Sequence, residues 1–359
     1  MSTIREVAQA AGVSTATVSN VLNGRSEKVS DDTRDRVFSA IRSLKYRPTA
    51  MEMNQRAIST RNLGLMVPDL TTAVLGPDES VSTGEPAGPL RHGYFRNALD
   101  GVLEAAALRG WSVTIFVERL WFDVGLAVRR SYDGRCDGMI SLAPQPGNEL
   151  VEALYTRGTP LVLIGTTPWL EGVSSVDVDN LAIGEMAARH FVELRHECLA
   201  YVAEEFEQVS SIERRKSFLL SAKHLGIPES RLHSICAVAA EDGTRGASVW
   251  NQIAALDPRP TGLLCWHDGL ARDVVSASNR FGFQVPRDVS IISVDDAPEA
   301  VSAEPGLTTY RNPVISLGKR AAAMLIDRLT QGRDITENVR FVPELIMRGS
   351  SGPAPSALP

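Results

Sequence analysis

The sequence has few cysteines, no long apolar run and no histidine spacing typical of a metal site. Its four cysteines lie far apart, and none forms a C-x-x-C pair, which leaves zinc and redox motifs unsupported. No apolar stretch approaches the ~18 residues that a membrane helix needs, and the opening MSTIREVAQA lacks the apolar core of a signal peptide. We therefore expect a cytoplasmic protein with no membrane segment, no bound metal and no cofactor.

Charge is distributed unevenly along the chain. The total of −6 argues against nucleic-acid binding by the chain as a whole. Residues 1–61, however, hold ten Lys/Arg against six Asp/Glu, a net of +4, so the remainder carries −10. Because attraction to phosphates is screened beyond ~8–10 Å, a small basic head on a large acidic body fits a single DNA-contacting module.

The first 48 residues have the pattern of three short helices. Residues 3–6 (TIRE) form a capping box for the first, and Gly12 permits a tight turn before a second helix that Ser14 caps. Ser30 opens the third helix, and Pro48 stops it. Two short helices joined by a tight turn are typical of a unit whose second helix enters the major groove of DNA.

From Asn62 onward, short apolar runs alternate with amphipathic helical segments in two successive series. Repeated strand–helix units predict parallel sheets with helices on both faces, so the expected fold is an all-α head followed by two doubly wound α/β subdomains. Residues 49–61 are predicted to be a linker. Residues 71–93 form a long Pro/Gly/Ser-rich loop, either a lid or a surface insertion, and residues 349–359 are expected to be disordered.

In combination these motifs resemble the LacI/GalR family of bacterial transcription regulators. The resemblance covers almost the whole chain and rests on TIREVAQAAGVSTATVSNVLNG, VSDDTRDRVFSAIRSLKYRP, WHDGLARDVV, FGFQVPRDVSIISVDDAP, LTTYRNP and VPELIMRGS, in that order. It implies a helix-turn-helix headpiece (1–48), a hinge (49–61) and a core of periplasmic-binding-protein type I (62–348).

The resemblance also implies that the core chain weaves between two subdomains. The N-subdomain would comprise about 62–166 and 298–331, and the C-subdomain about 168–296 and 333–348. In this family a small-molecule effector, often a carbohydrate, binds in the cleft between the subdomains, outside the carboxyl ends of the strands.

Which head residues contact DNA also follows from the resemblance. Base-reading positions fall on Thr15, Ala16 and Asn20, a set that would favour A·T pairs because Asn can pair bidentately with adenine and methyl groups can contact thymine. The positions that contact phosphates in the family carry hydroxyl or amide groups here and are Thr3, Ser14, Thr17, Ser19, Asn23 and Tyr46. For each of them, a purely structural role as a cap is the alternative.

The hinge departs from the family's pattern. Members usually carry an Ala-Arg-x-Leu element whose Leu wedges into the minor groove, and counting back from the first strand places this element on residues 52–55. Gln55 stands where Leu is usual, and Met53 or Ile58 could serve as the wedge if the hinge helix is rotated. Since Gln unstacks a base step poorly, we expect the hinge to order on operator DNA but to bend it less than in typical relatives.

Five core residues are predicted to contact the effector: Tyr94, Phe95, Arg214, His267 and Asp295. A guanidinium at position 214 would clamp a carboxylate or bridge sugar hydroxyls. The alternatives are a surface charge for Arg214 and a helix cap for Asp295. His267 stands where relatives often have Asn, and Tyr94 and Phe95 follow the long loop.

The function expected from these features is transcriptional regulation, with repression as the expected mode. No apolar heptads follow Arg348, so we expect a homodimer rather than a tetramer, and two-fold symmetry predicts a palindromic operator. An enzyme is the main rival, but the common catalytic motifs are missing. A pure small-molecule-binding protein is the other rival, and the headpiece argues against it.

Overall fold

The computed structural model describes residues 3–22, 29–44, 46, 59–68, 93–117, 134–205, 208–239, 245–331 and 336–355. Asn23, Met53, Gln55 and nearly all of the 71–93 loop lie outside the described residues. The expectations about the hinge wedge and the long loop therefore stay predictions. No helix in the described part of the chain is both long and apolar enough to cross a membrane.

The head consists of the three predicted helices, α1 (Ile4–Ala11), α2 (Thr15–Leu22) and α3 (Asp31–Ser43). The capping box of α1 forms as expected: the amide of Glu6 donates to the Thr3 hydroxyl, and the amide of Thr3 donates to the Glu6 carboxylate. Gly12 adopts φ +64°, which allows the tight turn into α2. Apolar residues from all three helices, including Val7, Val18 and Val37, form one small core.

Twelve strands follow among the described residues: β1 (Asn62–Val67), β2 (Ser112–Val117), β3 (Gly138–Leu142), β4 (Leu161–Ile164), β5 (Ser174–Val178), β6 (Leu199–Glu204), β7 (Leu232–Ala237), β8 (Gly262–Cys265), β9 (Ser290–Asp295), β10 (Thr308–Arg311), β11 (Asn338–Phe341) and β12 (Glu344–Ile346). The helices of the core are α4 (Gly93–Leu108), α5 (Glu149–Thr156), α6 (Asn180–Glu193), α7 (Val209–His224), α8 (Gly246–Ala254), α9 (Asp268–Ser278), α10 (Pro298–Ser302) and α11 (Val314–Gln331).

The strands form two six-stranded sheets, in the orders β11-β5-β4-β3-β1-β2 and β12-β10-β9-β8-β6-β7. Strands β1 to β5 pair in parallel, and so do β6 to β10; β12 runs antiparallel to β10. The central strands are buried along their whole length and, apart from Ser141, apolar, as expected for parallel strands covered on both faces. The predicted fold class, a helical head followed by two parallel-sheet α/β units, is confirmed.

The two units differ in their bounds from the prediction. The first comprises residues 1–177 and 314–339, and the second comprises 178–313 and 340–359. The crossover near 167 was placed too early, because β5 still pairs with β4 in the first sheet. The return at 298 was also placed too early, because β10 pairs with β9 and so belongs to the second sheet.

The predicted disorder of the C-terminal tail is wrong for residues 349–355. Ser350 is fully buried, and its hydroxyl and carbonyl bond the backbone of Ile291 at 2.6 and 2.7 Å. Gly352 exchanges two hydrogen bonds with the Ser290 hydroxyl. The Gly/Ser composition suggested disorder, but these small residues let the backbone lie directly against the start of β9.

Candidate DNA interface and effector site

The start of α2 presents a neutral polar surface. Ser14, Thr15 and Ala16 are exposed, and Asn20 lies half-buried one turn further on. Ser14 accepts the amide of Thr17 at 3.0 Å, which caps the helix and fixes its first turn. No acidic residue lies in that turn, so nothing there opposes the attraction of the helix N-terminus for a phosphate.

The predicted phosphate contacts are not equally placed for that role. Thr3 is exposed, but its hydroxyl donates a hydrogen bond to the Glu6 carboxylate and accepts one from the Glu6 amide. Its only hydroxyl hydrogen is therefore used inside the capping box. Tyr46 is only 4% exposed and belongs to the apolar core of the head, which favours a structural role. Thr17 and Ser19 lie half-buried on α2.

Three of the five predicted effector residues meet at one edge of the second sheet. Because β6, β8, β9 and β10 are parallel neighbours, their carboxyl ends lie together. His267 follows β8, and Asp295 ends β9. Arg214 lies on α7, and its guanidinium reaches the same edge by donating to the carbonyl of Trp266 at 2.9 Å.

Arg214 is a buried cation, 4% exposed, which removes the alternative of a surface charge. Its Nε donates to Asn180 Oδ1 at 2.8 Å, and its Nη1 donates to Trp266. Both acceptors are neutral, and no carboxylate in the described chain pairs with this guanidinium. A buried charge with neutral partners alone is costly, so the site favours a ligand that brings oxygen acceptors.

His267 is engaged at both ring nitrogens. Its Nδ1 accepts the amide of Leu270 at 3.2 Å, as the N-cap of α9. Its Nε2 therefore carries the proton and donates to Glu204 Oε1 at 3.1 Å. Glu204 also pairs with Arg245, whose Nε lies 3.1 Å from the same oxygen. Neither ring nitrogen is left for an effector while these bonds persist.

Asp295 ends β9 in an unusual backbone conformation. Its φ is +123°, and that of Asp296 is +58°, regions that non-glycine residues rarely occupy. The Asn312 amide donates to Asp295 Oδ1 at 2.7 Å. The N-cap of the following helix, α10, is Ala297, with no side-chain cap. Asp295 therefore does not cap α10, and its contact with a ligand stays a prediction.

Asp296 is held by two arginines. Arg311 Nε donates to Oδ2 at 2.6 Å, and Arg348 Nη2 donates to Oδ1 at 2.5 Å. Burial alone would raise the pKa of Asp296, but these charged donors bring it below its ordinary value. Asp296 thus stays ionised and fixes the turn that carries Asp295.

Asp268, the residue after His267, ties three segments of this edge together. Its Oδ1 accepts the hydroxyls of Ser293 (2.5 Å) and Thr309 (2.7 Å), which are register partners on β9 and β10. Its Oδ2 accepts the amide of Ala297 at 2.7 Å. Burial, with the nearby charge of Asp295, raises the pKa of Asp268 to about 7 despite these bonds.

Tyr94 and Phe95 belong to the first unit. A Cβ on Gly165 would clash with the Tyr94 hydroxyl oxygen. Because Gly165 directly follows β4, Tyr94 lies at the carboxyl edge of the first sheet. Phe95 is 4% exposed, a packing position on α4.

Sequence reasoning missed Glu204, Arg245 and Asp268 as parts of the edge. Glu204 ends an apolar strand, as Asp295 does, and this shared position was a usable signal. Asp268 stood inside a quoted motif without an assigned role. Arg245 gave no signal, because its partners Glu204 and Asp273 lie 41 and 28 positions away in the sequence.

A helix-turn-helix head joined to two parallel-sheet units, one with converging polar groups at its carboxyl edge, defines a ligand-responsive DNA-binding regulator. Residues 3–49 match the profile of bacterial regulatory proteins of the lacI family, and residues 188–351 match a periplasmic binding protein-like domain. The chain belongs to the LacI/GalR family of transcriptional regulators.

Several known proteins are similar over most or nearly all of the chain. The HTH-type transcriptional repressor PurR of Klebsiella pneumoniae is 27% identical over 99% of this chain and 98% of its own. The transcriptional regulator CelR, solved with cellobiose, superposes with TM-score 0.70 at 24% identity over 98% of this chain and all of its own. A LacI family regulator from Enterococcus faecium with bound ribose gives TM-score 0.65 at 21% identity, covering 81% and 99%. These relatives are regulators, not enzymes.

Proposed function

We propose that this protein is a repressor that binds a palindromic operator as a homodimer and whose operator affinity is changed by a small hydroxyl-bearing effector. The proposal includes a cytoplasmic, nucleoid-associated location. Two half-sites read by two heads follow from two-fold symmetry. The names of full-length relatives, such as the PurR repressor of Klebsiella pneumoniae, support repression as the mode.

The DNA-reading part of the proposal rests on the exposed first turn of α2. Thr15 and Ala16 offer methyl groups to thymine, and Asn20 offers an amide to adenine. With no cation among these three residues, affinity comes from phosphate contacts and symmetry, and the three side chains supply the sequence preference.

The single observation that carries the effector part is the buried Arg214 guanidinium, which has only neutral partners. Its position at the strand edge lets it donate to ligand oxygens, while Asp295 can accept from ligand hydroxyl groups. A carbohydrate or a related polyhydroxy metabolite has both kinds of group. The cellobiose and ribose that the two solved relatives contain support this class of ligand.

The DNA half is tested by selecting duplexes from a randomised pool with the purified protein. We expect an A·T-containing palindrome, bound with an affinity that falls steeply as salt increases. Sedimentation of the protein alone should show a dimer at micromolar concentration. Selection that yields no enriched sequence, or a stable monomer, contradicts the proposal.

The effector half is tested by a thermal-shift screen of sugars, sugar acids and nucleobases. A compound that raises the unfolding temperature is then added to the protein–operator complex, and affinity is measured by fluorescence anisotropy. Linkage requires that the factor by which the effector changes operator affinity equals the factor by which operator DNA changes effector affinity. A compound that stabilises the protein but leaves operator affinity unchanged is a ligand without a regulatory role.

A further inference from the structure

The described end of the hinge, residues 59–61, is tied to the core by backbone contacts and by one acidic side chain. The Thr60 hydroxyl donates to the carbonyl of Arg135 at 3.2 Å, and the Ser112 amide donates to the carbonyl of Arg61 at 2.8 Å. Asp137 Oδ2 accepts the hydroxyl of Ser59 at 2.8 Å, and its Oδ1 accepts the amide of Thr60 at 3.1 Å. We propose that Asp137 is a positioning residue for DNA binding, which fixes the core end of the hinge and thereby sets operator affinity. This inference rests on the proposed DNA-binding function.

The bonds at this anchor are incompatible with a helical backbone at Thr60 and Arg61. The amide of Thr60 is used by Asp137, and the amide of Arg61 donates to the Ser59 hydroxyl at 3.3 Å. Arg61 also has φ +49°. In a helix both amides would bond carbonyls four residues earlier. Thr60 and Arg61 are therefore not part of a helix, and Asp137 holds the segment that leads from the hinge into β1.

The anchor is mounted on rigid elements. Asp137 directly precedes β3, which lies between β1 and β4 in the first sheet, and its own amide donates to the carbonyl of Asn62 at 2.8 Å. The Asn62 side chain bonds the carbonyl of Arg135 and the hydroxyl of Thr114, both at 2.8 Å. Segments that begin three parallel strands are thus joined where the hinge leaves the core.

Fixing the hinge end matters because the hinge is the segment of chain that links the head covalently to the core. Ordering that connection on DNA costs conformational entropy for every residue that becomes fixed. An end already held by Asp137 lowers this cost and limits the volume that the head explores, which raises its effective concentration at the operator. Releasing the end should weaken operator binding without weakening the core.

The electrostatic effect of removing Asp137 has the opposite sign. Asp137 is a negative charge next to a DNA-binding segment, so its loss through charge alone would strengthen binding to any DNA. A loss of operator affinity in Asp137→Asn therefore reports the anchor. The matched control is Asp327→Asn, which removes one acidic group from a half-exposed ion pair with Arg109 in the same unit.

The experiment measures binding to the duplex that the wild-type protein selects from a random pool, and to a scrambled duplex, by fluorescence anisotropy. We expect Asp137→Asn to lose about tenfold in operator affinity and Ser59→Ala about threefold, with the double variant close to Asp137→Asn because both act through one contact. Asp327→Asn should stay within about twofold of wild type. Binding to scrambled DNA should stay the same or strengthen slightly in the variants that lose a carboxylate, and the unfolding temperature should change little in all four.

Two results would overturn the inference: equal operator affinity in Asp137→Asn and Asp327→Asn, or wild-type affinity in Ser59→Ala. The Ser59 variant changes only an exposed hydroxyl, so it keeps the test decisive if Asp137→Asn unfolds. Absence of any selected duplex for the wild-type protein would instead refute the proposed function, before the variants are compared.

Discussion

The DNA-reading head and the carboxyl edge of the second sheet use similar polar side chains in different ways. In the head, the bonds Thr3–Glu6 and Ser14–Thr17 join residues three positions apart. At the sheet edge, Asp268 bonds Thr309, 41 positions away, and His267 bonds Glu204, 63 positions away. A head residue can therefore be changed almost alone, whereas each edge residue holds several segments of chain in place.

Replacing Asp268 tests the interlocked edge most severely. Asp268→Ala leaves the donors of Ser293, Thr309 and Ala297 without their buried acceptor, so we expect a loss of about 3–5 kcal/mol in the free energy of unfolding. Urea denaturation followed by circular dichroism measures it. A loss below about 1 kcal/mol would show that the edge does not depend on this residue.

The raised pKa of Asp268 predicts how the edge responds to pH. A carboxyl whose pKa rises from 3.8 to about 7 on folding binds more protons in the folded state between these values. This extra proton binding stabilises the folded state. Its contribution to the free energy of unfolding is complete below pH 4 and is lost as the pH rises through 7. Asp268→Asn cannot ionise, so its stability relative to wild type should improve by on the order of 2–4 kcal/mol from pH 4 to pH 8. A difference in the free energy of unfolding between Asp268→Asn and wild type that stays constant with pH would contradict this prediction.

Arg214→Met separates ligand binding from packing at the same edge. The change keeps an apolar stem but leaves Asn180 and the Trp266 carbonyl without their donor, so we expect a loss of about 1–3 kcal/mol in stability. Any compound that shifts the unfolding temperature of wild type should no longer shift that of the variant. Retention of the full shift at equal ligand concentration would place the ligand elsewhere.

The same contrast explains which features could be predicted from the sequence. Helix caps, turns and alternating apolar segments depend on residues a few positions apart. The head, the α/β pattern and the polar residues at the carboxyl ends of β8 and β9 could therefore be predicted from the sequence. The partners of Arg214 and Asp268 depend on which strands become neighbours, and no local pattern contains that information. The prediction for the C-terminal tail was wrong for the same reason, since the tail packs against the distant residues Ser290 and Ile291.

Asn20→Ala addresses base reading in the head. Loss of a bidentate amide contact to adenine should weaken operator binding by about tenfold and relax the preference at one base pair in each half-site. Stability should hardly change, because Asn20 is only half-buried on α2. Anisotropy titrations with the selected duplex and single-base variants provide the measurement. Equal weakening on every duplex would assign Asn20 to a phosphate contact instead.

Thr3→Ala gives the smallest expected effect and distinguishes a cap from a DNA contact. The variant removes the acceptor of the Glu6 amide, which should cost the head about 1 kcal/mol and speed amide exchange in α1. Because the Thr3 hydroxyl already donates to Glu6, operator affinity should fall by less than about threefold. Ser14→Ala is the matched comparison, since it removes a cap at the DNA-facing helix. If Thr3→Ala weakened operator binding as much as Ser14→Ala, Thr3 would be a DNA contact, and the head's local bonds would not be purely structural.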